Sequence, residues 1–194
     1  MNGYFLRSGF GKIYHYLEQA IHSAFYKLDL PVRFDAQTPF AEKSLLNTWK
    51  KEKPDFIFTL TGYNMSEALL HWIKSNEIPL IVWLTEDPYM LDRSLSLLPF
   101  ASYVFTIEQE AVLYYRELGH SRSYFLPLGV NPDIYKPRPY QLEHQSDICF
   151  VGYPYQSRIE LIRFLASELN ASILVIGPWE GSHSPKRFKL RPNG

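Results

Sequence analysis

The chain has 194 residues, of which 46% are hydrophobic and 16% aromatic, and its formal net charge is zero. This composition supplies enough apolar surface for the core of one domain, or of one domain plus part of another. Proteins that bind nucleic acid through its phosphates carry a basic excess that this chain lacks, so we expect no nucleic-acid partner. No apolar run approaches the roughly 18 residues of a membrane span. Because the polar first residues also do not form a signal peptide, we expect an intracellular, cytoplasmic protein.

Strand and helix patterns alternate along the first two thirds of the chain. Short apolar runs predict strands at residues 3–7, 32–34, 56–60, 80–84, 103–107 and 123–126. Apolar residues at helical spacing predict helices at residues 13–28, 39–49, 65–74, 90–98 and 107–118. Such alternation with short connections predicts an α/β fold, a Rossmann-like doubly wound parallel sheet with helices on both faces.

The run Leu80–Leu84 is apolar and unbroken, which is typical of a strand buried on both faces of a parallel sheet. Glu86 and Asp87 follow it, where the strand ends and the chain must turn. Ligands of open parallel sheets bind outside the carboxyl ends of the strands. These two carboxylates are therefore candidates for a catalytic base or for ligands of substrate hydroxyls, or alternatively for the N-cap of the next helix.

The composition and the apolar pattern of the sequence change at Pro127. Four prolines lie between residues 127 and 139 without an apolar period, which indicates a linker. A strand at Ile148–Val151, a helix over residues 156–169 and a strand at residues 173–176 follow, and the remaining polar and basic residues indicate an irregular tail. We therefore predict an N-terminal domain at 1–130, a linker at 131–146 and the start of an incomplete second Rossmann-like domain at 147–194.

The incomplete domain predicts exposed apolar strand faces, for which we expect either association with another chain, such as a second copy in a homo-oligomer, or a disordered tail with soluble oligomers. The single cysteine, Cys149, lies in one of these apolar runs and is expected to be a buried thiol. The six histidines show no metal-binding spacing, so we expect no metal site.

A glycine-rich turn, Ser8 to Lys12, leads into the first helix. It lacks the spacing of a phosphate-binding loop and of the dinucleotide fingerprint, which disfavours a Rossmann dinucleotide enzyme. The turn is either a generic anion site, with free backbone N–H groups at a helix N-terminus, or simply a tight connection. Glu108, which follows another strand, is expected to stabilise the start of a helix.

Four segments resemble one known family. The segment "LPLGVNPDIYKP" resembles the inter-domain crossing of GT-B glycosyltransferases. Together with "WLTEDPY", "YVFTIEQEAVLYYRELGH" and "DICFVGYPYQSR", it resembles the spore maturation protein CgeB family, which includes YkvP-like proteins. The resemblance covers most of the chain from residue 56 to residue 177.

This resemblance implies two Rossmann-like domains that face each other across a cleft, with the acceptor on the first and a nucleotide-sugar, such as a UDP-sugar, on the second. It places Gly9, Phe10, Glu86, Asp87, Gly152 and Tyr153 along the cleft, and Gly177 and Pro178 near the nucleotide base. No other cofactor is implied. The partners would be a nucleotide-sugar and an acceptor glycan or protein, and the protein would be spore-associated.

Two functions are compatible with these features. The first is glycosyl transfer, with Glu86 or Asp87 as the base, although the incomplete donor half predicts that the 194-residue chain is inactive by itself. The alternative is a non-catalytic binding or assembly protein of a spore outer layer that keeps the fold.

Overall fold

The computed structural model describes residues 2–9, 14–30, 32–35, 39–139, 142, 145–179 and 186–190. The chain divides into two compact units, Met1–Tyr135 and Lys136–Gly194, which are called here the first and the second unit. No helix in the described part of the chain is long and apolar enough to cross a membrane.

The first unit is built on a six-stranded parallel sheet. Its strands are β1 (Gly3–Leu6), β2 (Val32–Asp35), β3 (Phe56–Leu60), β4 (Leu80–Leu84), β5 (Tyr103–Thr106) and β6 (Ser123–Phe125). Their order across the sheet is β2-β1-β3-β4-β5-β6. The strand β4 pairs with β3 on one side and with β5 on the other. The α/β fold with a parallel sheet that the strand–helix alternation predicts is thereby confirmed.

Helices follow each of the first five strands. They are α1 (Tyr14–Lys27), α2 (Pro39–Trp49), α3 (Glu67–Ser75), α4 (Leu91–Leu97) and α5 (Gln109–Glu117). The helix α3 begins where Ser66 caps it, because the Ser66 hydroxyl accepts from the backbone N–H of Leu69 at 3.1 Å. Gly119 follows the last turn of α5 with φ 94°, a conformation in which glycine often ends a helix.

Alternate side chains of β4 point to opposite faces of the sheet, and each face has its own hydrophobic core. Val82 and Leu84 face the core beneath α2, α3, α4 and α5. Trp83 faces the core beneath α1, where it is 9% exposed, and its indole N–H donates to the carbonyl oxygen of Leu126 at 2.9 Å. The expected double-sided burial of this strand is what the structure has.

Two helices bury residues that apolar spacing does not single out. On α5 the spacing of Ile107, Ala111, Tyr114 and Leu118 predicts the buried face, whereas the residues that the helix buries are Ala111, Val112 and Tyr115. On α1 a carboxylate, Glu18, is among the buried residues. Glu18 and Tyr115 are each hydrogen-bonded to residues of other elements, which apolar periodicity cannot reveal.

The second unit contains β7 (Ile148–Val151), α6 (Gln156–Glu168), β8 (Ile173–Gly177) and β9 (Lys186–Leu190). The strands β7 and β8 are parallel, but β9 runs antiparallel to β8. The expectation of an irregular tail after residue 177 is therefore wrong for residues 186–190. The backbone groups along the second edge of β8 are paired by this segment.

One face of β7 is uncovered in the described part of the second unit. Ile148 and Phe150 pack towards the small core around Ile162 and Ile173. On the other face Val151 is 69% exposed, and Cys149 is exposed as well. The expectation that Cys149 is a buried thiol is thus wrong, because only one face of its strand has a covering layer.

Candidate functional site

The loops at the carboxyl ends of the first unit's strands converge between β1 and β3. The chain leaves β1 towards β2 and leaves β3 towards β4, so the strand order reverses between these two neighbours. The Asn64 side-chain amide crosses this gap and donates to the carbonyl oxygen of Ser8 at 2.9 Å. Ligands of open α/β sheets bind at such a switch point, which makes this edge the place to look for a site.

Glu86 lies on this edge, on the turn after β4, and is half-buried. The Tyr14 hydroxyl, at the start of α1, donates to its Oε1 at 2.5 Å. The hydroxyls of Tyr14 and Thr85 are 2.7 Å apart. Since the Tyr14 proton points to Glu86, Thr85 is the donor in that second bond. Nothing in the described residues donates to Oε2 of Glu86, so this oxygen is available to a ligand.

Asp87 has a different environment, although it is the next residue. Its side chain is buried, with 2% exposed. Ser94 donates to Oδ1 at 2.6 Å, and Thr106 and Tyr115 both donate to Oδ2 at 2.7 Å. It does not cap α4, whose N-cap is Met90. Asp87 instead ties the β4 turn to α4, β5 and α5, and a role in contacting substrate stays a prediction that this geometry does not favour.

Three tyrosines around the two carboxylates are held neutral. Burial raises the pKa of Tyr63 to about 12. Burial raises the pKa of Tyr14 and of Tyr115 further, and hydrogen bonds to Glu86 and Asp87 respectively add to that effect. Each phenol therefore keeps its proton at neutral pH and serves as a hydrogen-bond donor. The negative charge at this edge resides on the carboxylates.

The glycine-rich turn after β1 has its own internal anion. Glu18 of α1 is 1% exposed, and its Oε1 accepts from the backbone N–H of Ser8 at 2.5 Å. Its Oε2 accepts from Nε of Arg7 at 3.1 Å. The Glu18 carboxylate thus accepts from a backbone N–H of the turn that was predicted to be free for a bound anion. The signal for Glu18 was present as a single acid on the apolar stripe of a helix.

Other predicted residues of the first unit are placed as follows. Gly9 is exposed and has φ 62°, which favours glycine at this tight connection. Phe10 lies outside the described residues. Glu108 is the N-cap of α5 but makes no side-chain cap bond, and its backbone N–H donates to the Thr106 hydroxyl at 3.2 Å. Whether Gly9 and Phe10 contact a ligand stays a prediction.

In the second unit, Gly152 and Gly177 meet at the carboxyl ends of β7 and β8. A Cβ atom on Gly177 would lie 2.1 Å from the carbonyl oxygen of Gly152. The Trp179 indole N–H donates to the same oxygen at 3.0 Å. Glycine at position 177 is therefore required for the close approach of the two loops, whereas a Cβ atom on Gly152 would meet only side-chain atoms of Arg158 and Phe150 at 3.3 Å. Pro178 lies between Gly177 and Trp179 on the second loop.

Aromatic and basic side chains lie beside this glycine pair. Tyr153 is 57% exposed and stacks on Tyr155 with their ring centroids 6.4 Å apart. Arg158, on the first turn of α6, lies 4.7 Å from the ring centroid of Tyr155. Arg158 was not among the predicted site residues, although a basic residue shortly after a glycine at a strand end was an available signal.

A cavity with a volume of about 300 Å³ lies outside these edges, in the described part of the first unit. It lies between β2 and α2 and is lined by Arg33, Ser44, Asn47, Thr48, Lys51 and Glu52. It shares no residue with the carboxyl edge of the sheet. Within the described residues no three His, Cys, Asp or Glu side chains are grouped so that they could hold a metal ion.

Comparison with known proteins gives one informative similarity. No family model matches the chain. The chain is 34% identical over 189 residues to the "Spore protein CgeB" of Bacillus subtilis (strain 168), across 97% of its own length. It spans 58% of the length of that relative. The similarity extends through the Glu86 turn and both units, and it supports the assignment of this chain to the CgeB-like family.

Proposed function

We propose that the chain is part of a GT-B type, glycosyltransferase-like protein with a role in spore maturation. In this proposal the first unit binds the acceptor at the carboxyl edge of its sheet. The second unit contributes to binding of a nucleotide-sugar through the loops at Gly152, Tyr153, Gly177 and Pro178. The spore-related role rests on the name of the relative from Bacillus subtilis.

The observation that carries this proposal is the position of Glu86. Its Oε1 is fixed by Tyr14, whereas no described residue donates to its Oε2. A carboxylate held at one oxygen is well placed to accept a hydrogen bond from an acceptor hydroxyl with the other. In the transfer step, Oε2 would take the hydroxyl proton while the hydroxyl oxygen forms its bond to the anomeric carbon. The bond from that carbon to the nucleoside diphosphate would break, and the diphosphate would leave with the electron pair.

A second candidate function is non-catalytic binding or assembly in a spore outer layer. The observation that favours it is that the carboxylates of Glu18 and Asp87 are both occupied by protein donors. Under this function Glu86 would bind hydroxyls of a glycan without transferring a sugar. The two functions share the binding site and differ only in turnover.

The experiment is an NMR titration of the 194-residue chain with methyl glycosides, with the side-chain carboxyl carbons as reporters. We expect a saturable shift of the Glu86 carboxyl resonance with at least one neutral glycoside. Glu86→Gln should weaken binding about tenfold, because a neutral amide oxygen accepts a weaker hydrogen bond from a hydroxyl than a carboxylate does.

The matched control is Glu108→Gln, which changes another half-buried acid at the end of the neighbouring strand β5. This variant should bind as the unchanged chain does. If Glu86→Gln binds glycosides with unchanged affinity, Glu86 is not the hydroxyl-binding group. If the unchanged chain binds glycosides and the full-length protein transfers no sugar from any nucleotide-sugar, the non-catalytic function is favoured.

A further inference from the structure

We propose that Arg7 and His15 form a recognition site for an oxyanion, so that the acceptor is an anionic, hydroxyl-bearing molecule such as a uronic acid or a polyol phosphate. The role as an acceptor site rests on the proposed function. The anion site itself rests on the geometry of the two side chains.

The Arg7 guanidinium is held from three sides at the end of β1. Its Nε donates to the buried Glu18, its plane lies 5.4 Å from the Phe34 ring centroid, and one Nη nitrogen lies 2.7 Å from His15 Nδ1. The other nitrogen, Nη1, has no acceptor in the described part of the chain. The side chain remains 35% exposed. Arg7 therefore presents oriented donors that need no reorganisation to bind a ligand.

The bond to Arg7 fixes the tautomer of His15. A guanidinium has donors only, so the Nδ1 atom of His15 must be the acceptor in the 2.7 Å contact. The imidazole proton consequently resides on Nε2, for which no acceptor exists in the described residues. His15 adds an N–H donor beside those of Arg7, and neither side chain offers an acceptor to a ligand.

A donor-only pair of this kind selects an oxyanion. Planar guanidinium donors match the geometry of carboxylate and phosphate oxygens. The adjacent Tyr14 binds Glu86, so the pair and the available Glu86 oxygen lie on the same edge of the sheet. One molecule that satisfies both ends needs a hydroxyl for Glu86 and an oxyanion for Arg7 and His15.

The test is a titration of the ¹⁵N-labelled chain with methyl glucuronide, glycerol phosphate and methyl glucoside, read at the His15 ring nitrogens and the Arg7 Nε–H. We expect saturable shifts with one or both of the anionic compounds and none with the neutral glucoside. Which of the two binds more tightly distinguishes a carboxylate acceptor from a phosphate acceptor. Equal shifts with the neutral glucoside, or no shift with either anion, would overturn the proposal.

Two variants and one control separate anion binding from folding. Arg7→Gln should lower affinity for the anion about tenfold or more, the effect of losing charge-assisted hydrogen bonds. Because that change also removes the charged partner of Glu18 Oε2, His15→Phe is the second variant. It keeps the Arg7–Glu18 pair and should weaken binding by a smaller factor.

Arg33→Gln is the control, since Arg33 also lies over an aromatic ring, donates to Tyr4 and lines the separate cavity. It should leave anion binding unchanged. Loss of binding in this variant alone would indicate that the anion binds in that cavity and would refute the proposal. Glu86→Gln should weaken the binding of neutral glycosides but leave the shifts that the anions cause at His15 and Arg7. Failure of the acceptor site can therefore be told apart from failure of the anion site.

Discussion

Asp87 is expected to stabilise the fold, and its removal should be far more damaging than removal of its neighbour Glu86. Asp87→Ala leaves the hydroxyls of Ser94, Thr106 and Tyr115 without their acceptor, and all three residues are fully buried. Each orphaned hydroxyl costs about 1–3 kcal/mol. Losses within one network do not add fully, so we expect unfolding free energy to fall by about 3–5 kcal/mol.

Asp87→Asn should cost less than alanine. The amide keeps one acceptor for Ser94 but presents an NH₂ group where Thr106 and Tyr115 both donate. We expect a loss of about 1–3 kcal/mol from these mismatched donors. Glu86→Gln, which affects one half-buried hydrogen bond, should cost about 1 kcal/mol or less. The predicted order is therefore Asp87→Ala, then Asp87→Asn, then Glu86→Gln.

Urea unfolding followed by tryptophan fluorescence measures this order. Trp49, Trp72 and Trp83 all lie in the first unit, so the signal reports mainly on its unfolding. The midpoint should shift while the slope stays constant, which identifies a change in stability. A loss below about 1 kcal/mol for Asp87→Ala would mean that the hydroxyls find other partners and that the proposed structural role is wrong.

The remaining predictions concern both units. Trp83→Ala should destabilise the first unit by about 3–5 kcal/mol in urea titrations, through cavity formation and loss of the bond to Leu126; a loss under about 1 kcal/mol would mean a poorly packed site. Burial raises the pKa of Tyr63 to about 12. The contribution of the Tyr63 phenol to folding stability is therefore complete below the ordinary tyrosine pKa of about 10 and is lost as pH rises through about 12. Tyr63→Phe should reduce this loss of stability at alkaline pH. Gly177→Ala should unfold the second unit, because its Cβ would clash with the carbonyl oxygen of Gly152. The measurement is the Trp179 fluorescence, which should no longer change when urea is added. Isothermal titration of the 194-residue chain with UDP- and GDP-sugars should show no binding tighter than about millimolar, and micromolar affinity would contradict this.

The fold of the first unit was predictable because its signals are local. Apolar runs and helical spacing identify all six strands and the five helices. The second unit shows the limit of such signals. The strand β9 has a polar and basic sequence, and it exists as a strand because it pairs with β8, a tertiary contact that the segment does not encode by itself.

The site was predictable as a location but not as a set of roles. The end of a buried strand pointed to Glu86 and Asp87. Which carboxylate is available depends on Tyr14, Thr106 and Tyr115, which are distant in sequence and meet the turn only in the folded chain. Glu18 was missed for the same reason, because its partners Arg7 and Ser8 lie in the loop after β1 and not on its own helix.

The antiparallel strand β9 has a consequence for how the second sheet can grow. With β8 paired on both sides, the open edges among the described strands of that unit are the outer edges of β7 and β9. An additional strand that joins beside β7, from a second copy of the chain or from another protein, would align its backbone with Ile148–Val151. Exposed edges of this kind are where sheets recruit further strands. Addition beside β7 would place new side chains next to Cys149 and Val151 on the open face, so slower alkylation of the Cys149 thiol would report on occupancy of that edge.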